Sequence, residues 1–281
     1  MIIDGNKINE EIREELRGRA KGLSLAIIWV GDDPVSAKYI EKKKIFGEEI
    51  GVRVKVFKYG SDMFTGELIE EIQTISKDFS GIIVQLPLPK QIDGVMAMNT
   101  IPIDKDVDLL SEMAYQNFVE GKSLILPPVV ASIKEIFEKN DLLDLHGLHA
   151  VVVGRGKLVG RPVAVWLTSQ GAEVTLLGKD DWADLSVEAL AKADIIVSGA
   201  GVPGLIKAEM VKNGVVIIDA ATSDVSGKII GDVDPAVADK ARIFSPVPGG
   251  VGPITVAMLF KNLVTLAKNG KIYQGVVFIA P

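Results

Sequence analysis

Apolar residues in this chain follow two alternating patterns, and that alternation leaves few folds open. Ile8, Ile12, Leu16 and Ala20 recur every four residues and trace one face of a helix. Residues 25–30 are a short apolar run between Gly22 and Gly31, as expected of a buried strand. Asp33 then offers an N-cap and Pro34 a first helical position, so a second helix should run to about Gly51. Val52, Val54 and Val56 alternate with charged side chains and predict a strand. A third helix is expected between Thr65 and Asp78, and another buried strand over 81–86. Pro87, Pro89 and Pro102 interrupt the pattern, and a helical segment follows from about Val129 to Asn140. The alternation then returns as strand 149–154, helix 157–171, strand 173–177, helix 186–193, and strands 195–198 and 215–219. Such a succession buries parallel sheets under helices, so the expected fold class is α/β, in two α/β domains parted near residues 120–145.

Composition narrows the chemistry. The 281 residues are 48% hydrophobic and 24% charged, which supplies sizeable cores and excludes general disorder. With no cysteine there can be no disulfide, thiolate nucleophile, Cys-ligated zinc or iron–sulfur cluster. His146 and His149 are the only histidines, which leaves a metal site or a Ser-His-Asp triad little to draw on. No metal is expected. A net charge of −6 gives no electrostatic reason to bind nucleic acid. The N-terminal residues hold no signal-peptide core, and no apolar stretch approaches the ~18 residues of a membrane helix. A cytoplasmic protein with no membrane partner is expected. Trp29, Trp166 and Trp182 read as packing residues.

Residues 151–160, Val-Val-Val-Gly-Arg-Gly-Lys-Leu-Val-Gly, run from a strand through a glycine-rich turn into a helix. Glycines there let a pyrophosphate approach the helix N-terminus, where free N–H groups and the helix dipole favour negative charge. The spacing is one residue longer than the common dinucleotide fingerprint, and a tight turn without ligand is the alternative. After the next strand comes Gly178-Lys179-Asp180-Asp181. Arg155 and Lys179 can clamp a 2′-phosphate with charge-assisted bonds worth roughly 1.5–3 kcal/mol each, which favours NADP over NAD as cofactor. Asp180 or Asp181 is expected to cap the helix containing Trp182.

In the helix opened by Pro34, Tyr39 and Lys43 are four residues apart, and Ser36 joins their stripe. Gln85 closes an apolar strand just before Pro87, at the carboxyl end where α/β sheets bind ligands. A lysine desolvated beside such a polar partner can exchange protons near neutrality. The plainer reading is a wet lysine run, since Lys42, Lys43 and Lys44 are consecutive.

Jointly these segments resemble the bifunctional methylenetetrahydrofolate dehydrogenase/cyclohydrolase family. Residues 30–43 are similar to its folate-site helix, residues 81–89 to its glutamine strand, and Lys105-Asp106-Val107-Asp108 to its acidic turn. Pro246-Val247-Pro248-Gly249-Gly250-Val251-Gly252-Pro253-Ile254-Thr255 is nearly a full copy of its closing loop, and Gly231-Asp232-Val233 adds support. The resemblance implies oxidation of 5,10-methylenetetrahydrofolate with NADP, then hydrolysis of the methenyl cation to 10-formyltetrahydrofolate. It implies Lys43, Tyr39 and Gln85 as catalytic residues. Tyr39, Ser36, Asp108, Pro248, Gly249 and Gly250 would bind substrate. Gly154, Arg155, Gly156, Val159, Gly160, Lys179, Thr222 and Thr255 would bind the cofactor. It further implies a folate-binding domain of residues 1–120 plus 255–281, a Rossmann-type NAD(P) domain of 121–254 and a cleft between them. A closing helix over about 256–268, a homodimer and a cis Val247–Pro248 bond belong to the same picture.

Several positions depart from the family pattern. Gly156 replaces a serine, Leu109 a glycine, and Gly178-Lys179-Asp180-Asp181 a histidine-containing stretch. Pro127-Pro128-Val129-Val130 lacks a customary thiol and hydroxyl, and Ala220-Ala221-Thr222 stands where glycine is common. The rivals are a monofunctional dehydrogenase with weak cyclohydrolase activity, a related dehydrogenase of another small substrate, and a non-catalytic sensor.

Overall fold

The computed structural model describes every residue except 183, 226, 227 and 274–281. Its contacts divide the chain into two compact units, a first of Glu10–Leu126 with Val256 onward and a second of Met1–Asn9 with Pro127–Thr255. The expected first domain began at residue 1. In the structure the first nine residues group with the second unit because they pair with a strand there. Residues 274–281 of the expected folate domain lie outside the described residues.

The first unit is built on the part of α1 (Gly5–Leu16) from Glu10 onward, β1 (Ser24–Val30), α2 (Pro34–Glu49), β2 (Arg53–Tyr59), α3 (Thr65–Ile75), β3 (Gly81–Val84), α4 (Gly94–Met98) and α5 (Glu112–Val119). The strands are parallel in the order β2-β1-β3, with Leu25 beside both Val54 and Gly81. Central β1 is almost wholly buried, whereas edge strand β2 keeps Arg53, Lys55 and Lys58 exposed. Helix α2 starts where the sequence placed it, because the Asp33 side chain accepts from the Ser36 N–H and Pro34 needs no partner there. The short helices α4 and α5 went unforeseen among the prolines. Each carries its own cap, Asp93 and Ser111.

The second unit contains α6 (Pro128–Glu138), β4 (His149–Val153), α7 (Gly160–Ser169), β5 (Glu173–Leu177), α8 (Asp184–Lys192), β6 (Ile195–Ser198), β7 (Val216–Asp219), an antiparallel hairpin of β8 (Ser223–Val225) and β9 (Lys228–Ile230), and β10 (Ile243–Ser245). Five parallel strands run in the order β10-β7-β6-β4-β5. Ile2 bridges Phe244 in the parallel sense, with Ile3 N–H donating to Phe244 O at 2.8 Å and Phe244 N–H to Met1 O at 2.9 Å. The N-terminal residues thereby cover the free edge of β10, which would otherwise present unpaired backbone groups.

A last helix, α9 (Val251–Tyr273), closes the chain. Phe260 packs on Phe46 with ring centroids 5.0 Å apart, and Leu263 fills the space that glycine leaves at Gly81. The sequence showed no run long enough for a membrane span, yet residues Val251–Asn269 reach a mean hydropathy of 1.2 over a sufficient length. Their apolar character has a different cause: 61% of that stretch is buried inside the protein, as in a core helix.

Candidate active site

In each sheet the chain winds first to one side of its initial strand and then to the other, which opens a crevice at the carboxyl ends of two neighbouring strands. In the first unit those strands are β1 and β3, and the segments leaving them are residues 31–33 and Gln85. Helix α2 buries Ser36, Ile40, Lys43, Phe46 and Gly47, a stripe at helical spacing that includes one lysine. Lys43 is only 7% exposed, while Lys42 lies in solvent and Lys44 pairs with Glu41 at 3.1 Å. Lys43 Nζ donates to Gln85 Oε1 at 2.9 Å. Gln85 Nε2 donates to Leu86 O at 2.8 Å, which turns the amide oxygen toward the amine. Burial holds the Lys43 amine below the usual lysine range, and the negative charge of Asp108 opposes that shift.

Ser36 is 2% exposed and committed to local structure. Its hydroxyl lies 2.7 Å from Asp33 Oδ2 and 3.2 Å from Leu86 O, so it ties the start of α2 to the segment after β3. Half-buried Tyr39 lies between Ser36 and Lys43 on the helix, with Lys42 Nζ 5.5 Å from its ring centroid.

The acidic turn is held from beneath by Asp106, which is fully buried. Its carboxylate accepts from Leu110 N–H at 3.0 Å, Ser111 N–H at 2.8 Å and Ser111 Oγ at 2.7 Å. Asn262 on α9 donates to Val107 O at 2.9 Å, fixing the residue between the two acids. Part of Asp108 reaches solvent, but its carboxyl lies among protein atoms. Burial pushes that carboxyl up to about 7, with Lys43 opposing the rise and Asp106 adding to it. Leu109 adopts φ 52°, a left-handed conformation that costs a non-glycine residue about 1–2 kcal/mol. Its side chain is 5% exposed, and burial of that size offsets the strain by about 1.5–3 kcal/mol. The structural roles of Asp106 and Asn262 were not read from the sequence. The Lys-Asp-Val-Asp motif drew attention to the turn, but nothing marked its hidden acid as the support for the other.

In the second unit the strands at the crevice are β4 and β6. Gly154 has φ 104°, and a Cβ there would lie 2.6 Å from Gly199 O. A Cβ on Gly160 would come within 1.7 Å of Gly154 O, so the first residue of α7 rests directly on the turn. Val159 packs against Gly199, where a Cβ would meet its Cγ1 at 2.4 Å. Gly156 faces open space, with nothing within 4 Å of a Cβ. The inner glycines thus close the turn against the sheet while its outer side stays clear, which fits the approach of a pyrophosphate. Helix α7 starts at Gly160 rather than at residue 157, because residues 157–159 are part of the turn.

At the end of β5 the structure departs from the expected cap. Asp181 caps no helix containing Trp182. Its Oδ2 instead accepts from Gly178 N–H at 2.6 Å and pairs with Arg155 Nη2 at 2.7 Å. Lys179 is exposed.

Two further acids organise the loops after β6 and β7. Asp232 accepts from Ser198 Oγ at 2.6 Å, Ala200 N–H at 2.7 Å and Val202 N–H at 2.7 Å. Asp219 accepts from Ala221 and Val233 N–H groups. Burial pushes its carboxyl up to about 6, against those bonds and with the charge of Asp232 adding to the rise. Thr222 follows, exposed, ahead of the β8–β9 hairpin. Pro248 is exposed and preceded by a cis bond, while the Leu86–Pro87 bond, not anticipated, is also cis. Gly249 O accepts from Gly5 N–H at 2.7 Å, and buried Gly250 sits where a Cβ would meet Ser245 Oγ at 2.2 Å. Thr255 Oγ1 donates to Val251 O at 2.9 Å and lies 3.4 Å from Ser132 Oγ. His146 and His149 are exposed and pair with Asp144 and Glu173.

Both units carry matches to one protein family. The tetrahydrofolate dehydrogenase/cyclohydrolase catalytic domain matches residues 3–108, and the NAD(P)-binding domain of the same family matches residues 127–271. The bifunctional protein FolD of Halothermothrix orenii is 40% identical over 296 aligned residues, covering 98% of this chain and 99% of that one. The bifunctional FolD methylenetetrahydrofolate dehydrogenase/cyclohydrolase of Campylobacter jejuni superposes with a TM-score of 0.91 at 34% identity, over 96% of this chain and 99% of that one. The Trypanosoma brucei methylenetetrahydrofolate dehydrogenase-cyclohydrolase, solved with NADP and an inhibitor, gives 0.90 at 31% identity, over 96% and 98%. With both domains matched in order and relatives aligned along nearly the whole chain, the protein belongs to the tetrahydrofolate dehydrogenase/cyclohydrolase family.

Proposed function

We propose that this enzyme oxidises 5,10-methylenetetrahydrofolate to the 5,10-methenyl cation with NADP and hydrolyses that cation to 10-formyltetrahydrofolate. The observation that carries the reading is the buried Lys43 amine bonded to Gln85. An amine held below its usual pKa is neutral for a larger fraction of the time, so it does not repel a cationic substrate and can accept a proton. When water adds to the methenyl carbon, its proton passes to Lys43 Nζ. The resulting ammonium returns a proton to the ring nitrogen as the carbon–nitrogen bond breaks, the hydroxyl left by the water loses its own proton to solvent as it becomes the formyl carbonyl, and the formyl group stays on the other nitrogen. Gln85 aims the amine throughout. Tyr39 offers a ring on which the aminobenzoyl group can stack, and Asp108 accepts from the amino-pyrimidine edge of the pterin. Ser36 serves by fixing the position of α2.

NADP, when bound, supplies the hydride acceptor of the first reaction. The turn of Gly154, Arg155, Gly156, Val159 and Gly160 suits its phosphates, with Lys179 at the ribose end and Thr222 and Thr255 in the surrounding loops, while Pro248, Gly249 and Gly250 are assigned to the substrate. Homodimerisation is carried over from the family resemblance, and a cytoplasmic setting from the sequence reading. Sedimentation at micromolar concentration tests the first, and a species of twice the chain mass is expected.

The decisive experiment supplies the methenyl cation directly and follows its hydrolysis. The wild type should hydrolyse it well above the buffer rate, and Lys43→Met should lose about 10²–10⁴-fold, the usual weight of a positioned acid–base group. Wild-type hydrolysis no faster than buffer would favour the monofunctional rival.

A further inference from the structure

The geometry points to Asp181 as the residue that sets how strongly this chain discriminates NADP from NAD, by competing with a 2′-phosphate for Arg155. The inference rests on the cofactor reading above and goes beyond it to a residue with no assigned part. The end of the second strand in a dinucleotide-binding unit faces the adenosine ribose. An acid there accepts from ribose hydroxyls, whereas arginine accommodates a 2′-phosphate. This chain places both at that point, on each other. Arg155 Nη2 lies 2.7 Å from Asp181 Oδ2, and the same oxygen is pinned by Gly178 N–H at 2.6 Å. The guanidinium lies along Gly178, where a Cβ would meet Arg155 Cδ at 2.9 Å, and it also donates to Leu176 O at 3.4 Å. Arg155 is thus parked on the end of β5 by an acid that the backbone prevents from swinging away.

Two consequences follow for a ligand at this place. A 2′-phosphate must take Arg155 from Asp181 and then tolerate that carboxylate beside its own negative charge. The ribose of NAD meets no such repulsion and can use Asp181 as an acceptor. The Arg155 and Asp181 side chains are 50% and 31% exposed, so the pair is weak enough to exchange partners. Lys179, two residues before Asp181, makes no ion pair or hydrogen bond among the described residues and is available to a phosphate. Asp181 acts through Arg155, which makes it a positioning residue for specificity and not a catalytic one.

The test measures dissociation constants of NADP and NAD by calorimetry for wild type, Asp181→Asn and Asp181→Ser, with 2′,5′-ADP as a probe of the ribose end alone. Asp181→Asn keeps an acceptor for Gly178 N–H and removes only the charge. It should tighten NADP and 2′,5′-ADP about tenfold, as loss of one like charge near a half-exposed dianion allows, while NAD stays equal or weakens. Asp181→Ser should act in the same direction. Adding Arg155→Ala to Asp181→Asn should abolish the gain. A purely structural role would move both dinucleotides together, and that result, or unchanged NADP binding in both variants, would overturn the proposal while leaving the cofactor reading intact. If the wild type bound neither dinucleotide, the cofactor reading would fall and take the proposal with it.

Discussion

Lys43 is the middle of three consecutive lysines, and position on the helix separates it from the other two. Its place in the stripe Ser36, Ile40, Lys43, Phe46 follows from 3.6-residue periodicity and could be read from the sequence. The tuning of its amine could not, because the partners come from elsewhere in the chain: Gln85 by hydrogen bond and Asp108 by charge. Burial lowers the Lys43 pKa and Asp108 partly restores it, so the two effects can be separated. Asp108→Asn removes the restoring charge and should lower the Lys43 pKa further. In the proposed mechanism the neutral amine is the working form, so hydrolysis should rise with pH through that pKa. At saturating methenyl substrate the rising limb of the pH–rate profile should therefore move to lower pH in Asp108→Asn, with a higher KM from the lost pterin acceptor. A limb that stays put or moves up would show that Asp108 does not act on Lys43.

Elements with a strong period were legible, and short elements set by distant partners were not. The apolar runs that became β1, β3, β4 and β6 declared themselves, as did the Asp33–Pro34 start of α2. Strand β10 has only three residues, Ile243, Phe244 and Ser245, and is a strand because β7 lies on one side and Ile2 on the other. No local window contains that information. The same limit explains Asp181, where a motif suggesting a helix cap became the partner of an arginine 26 residues earlier. The glycine turn shows which departures from the family pattern matter structurally. Gly160 has no room for a Cβ against Gly154 O, and Gly160→Ala should displace the start of α7, cost about 1–3 kcal/mol by overpacking and weaken NADP binding. Gly156→Ser, which restores the family's usual residue, meets no atom within 4 Å and should leave stability within about 0.5 kcal/mol. Thermal melts and dinucleotide titrations of the two variants check the contrast, and equal behaviour would mean that the turn does not support the site in this way.

On the scale of the whole molecule, neither unit is a continuous piece of chain. The second takes in the first nine residues, of which Met1 to Ile3 edge its sheet, and the first is completed by a helix that begins 125 residues after Leu126. Alternation of strands and helices revealed two α/β layers, and the resemblance supplied the return of the last helix, but contacts so remote in sequence leave no local pattern. That return also bears on the proposed folate site. Phe260 closes the core on Phe46, and two residues later Asn262 holds Val107 and thereby the turn bearing Asp108. Phe260→Ala should remove about 3–5 kcal/mol, the usual cost of an aromatic-to-alanine change in a core. The loss belongs to the first unit, since both rings of the pair lie there. Hydrogen exchange should therefore quicken in β1, α2 and β3 before β4, β6 and β7, and methenyl hydrolysis should fall at temperatures where NADP binding persists. Equal loss of protection in both sheets would show instead that the two units unfold as one, and that the closing helix serves the molecule as a whole more than the folate half.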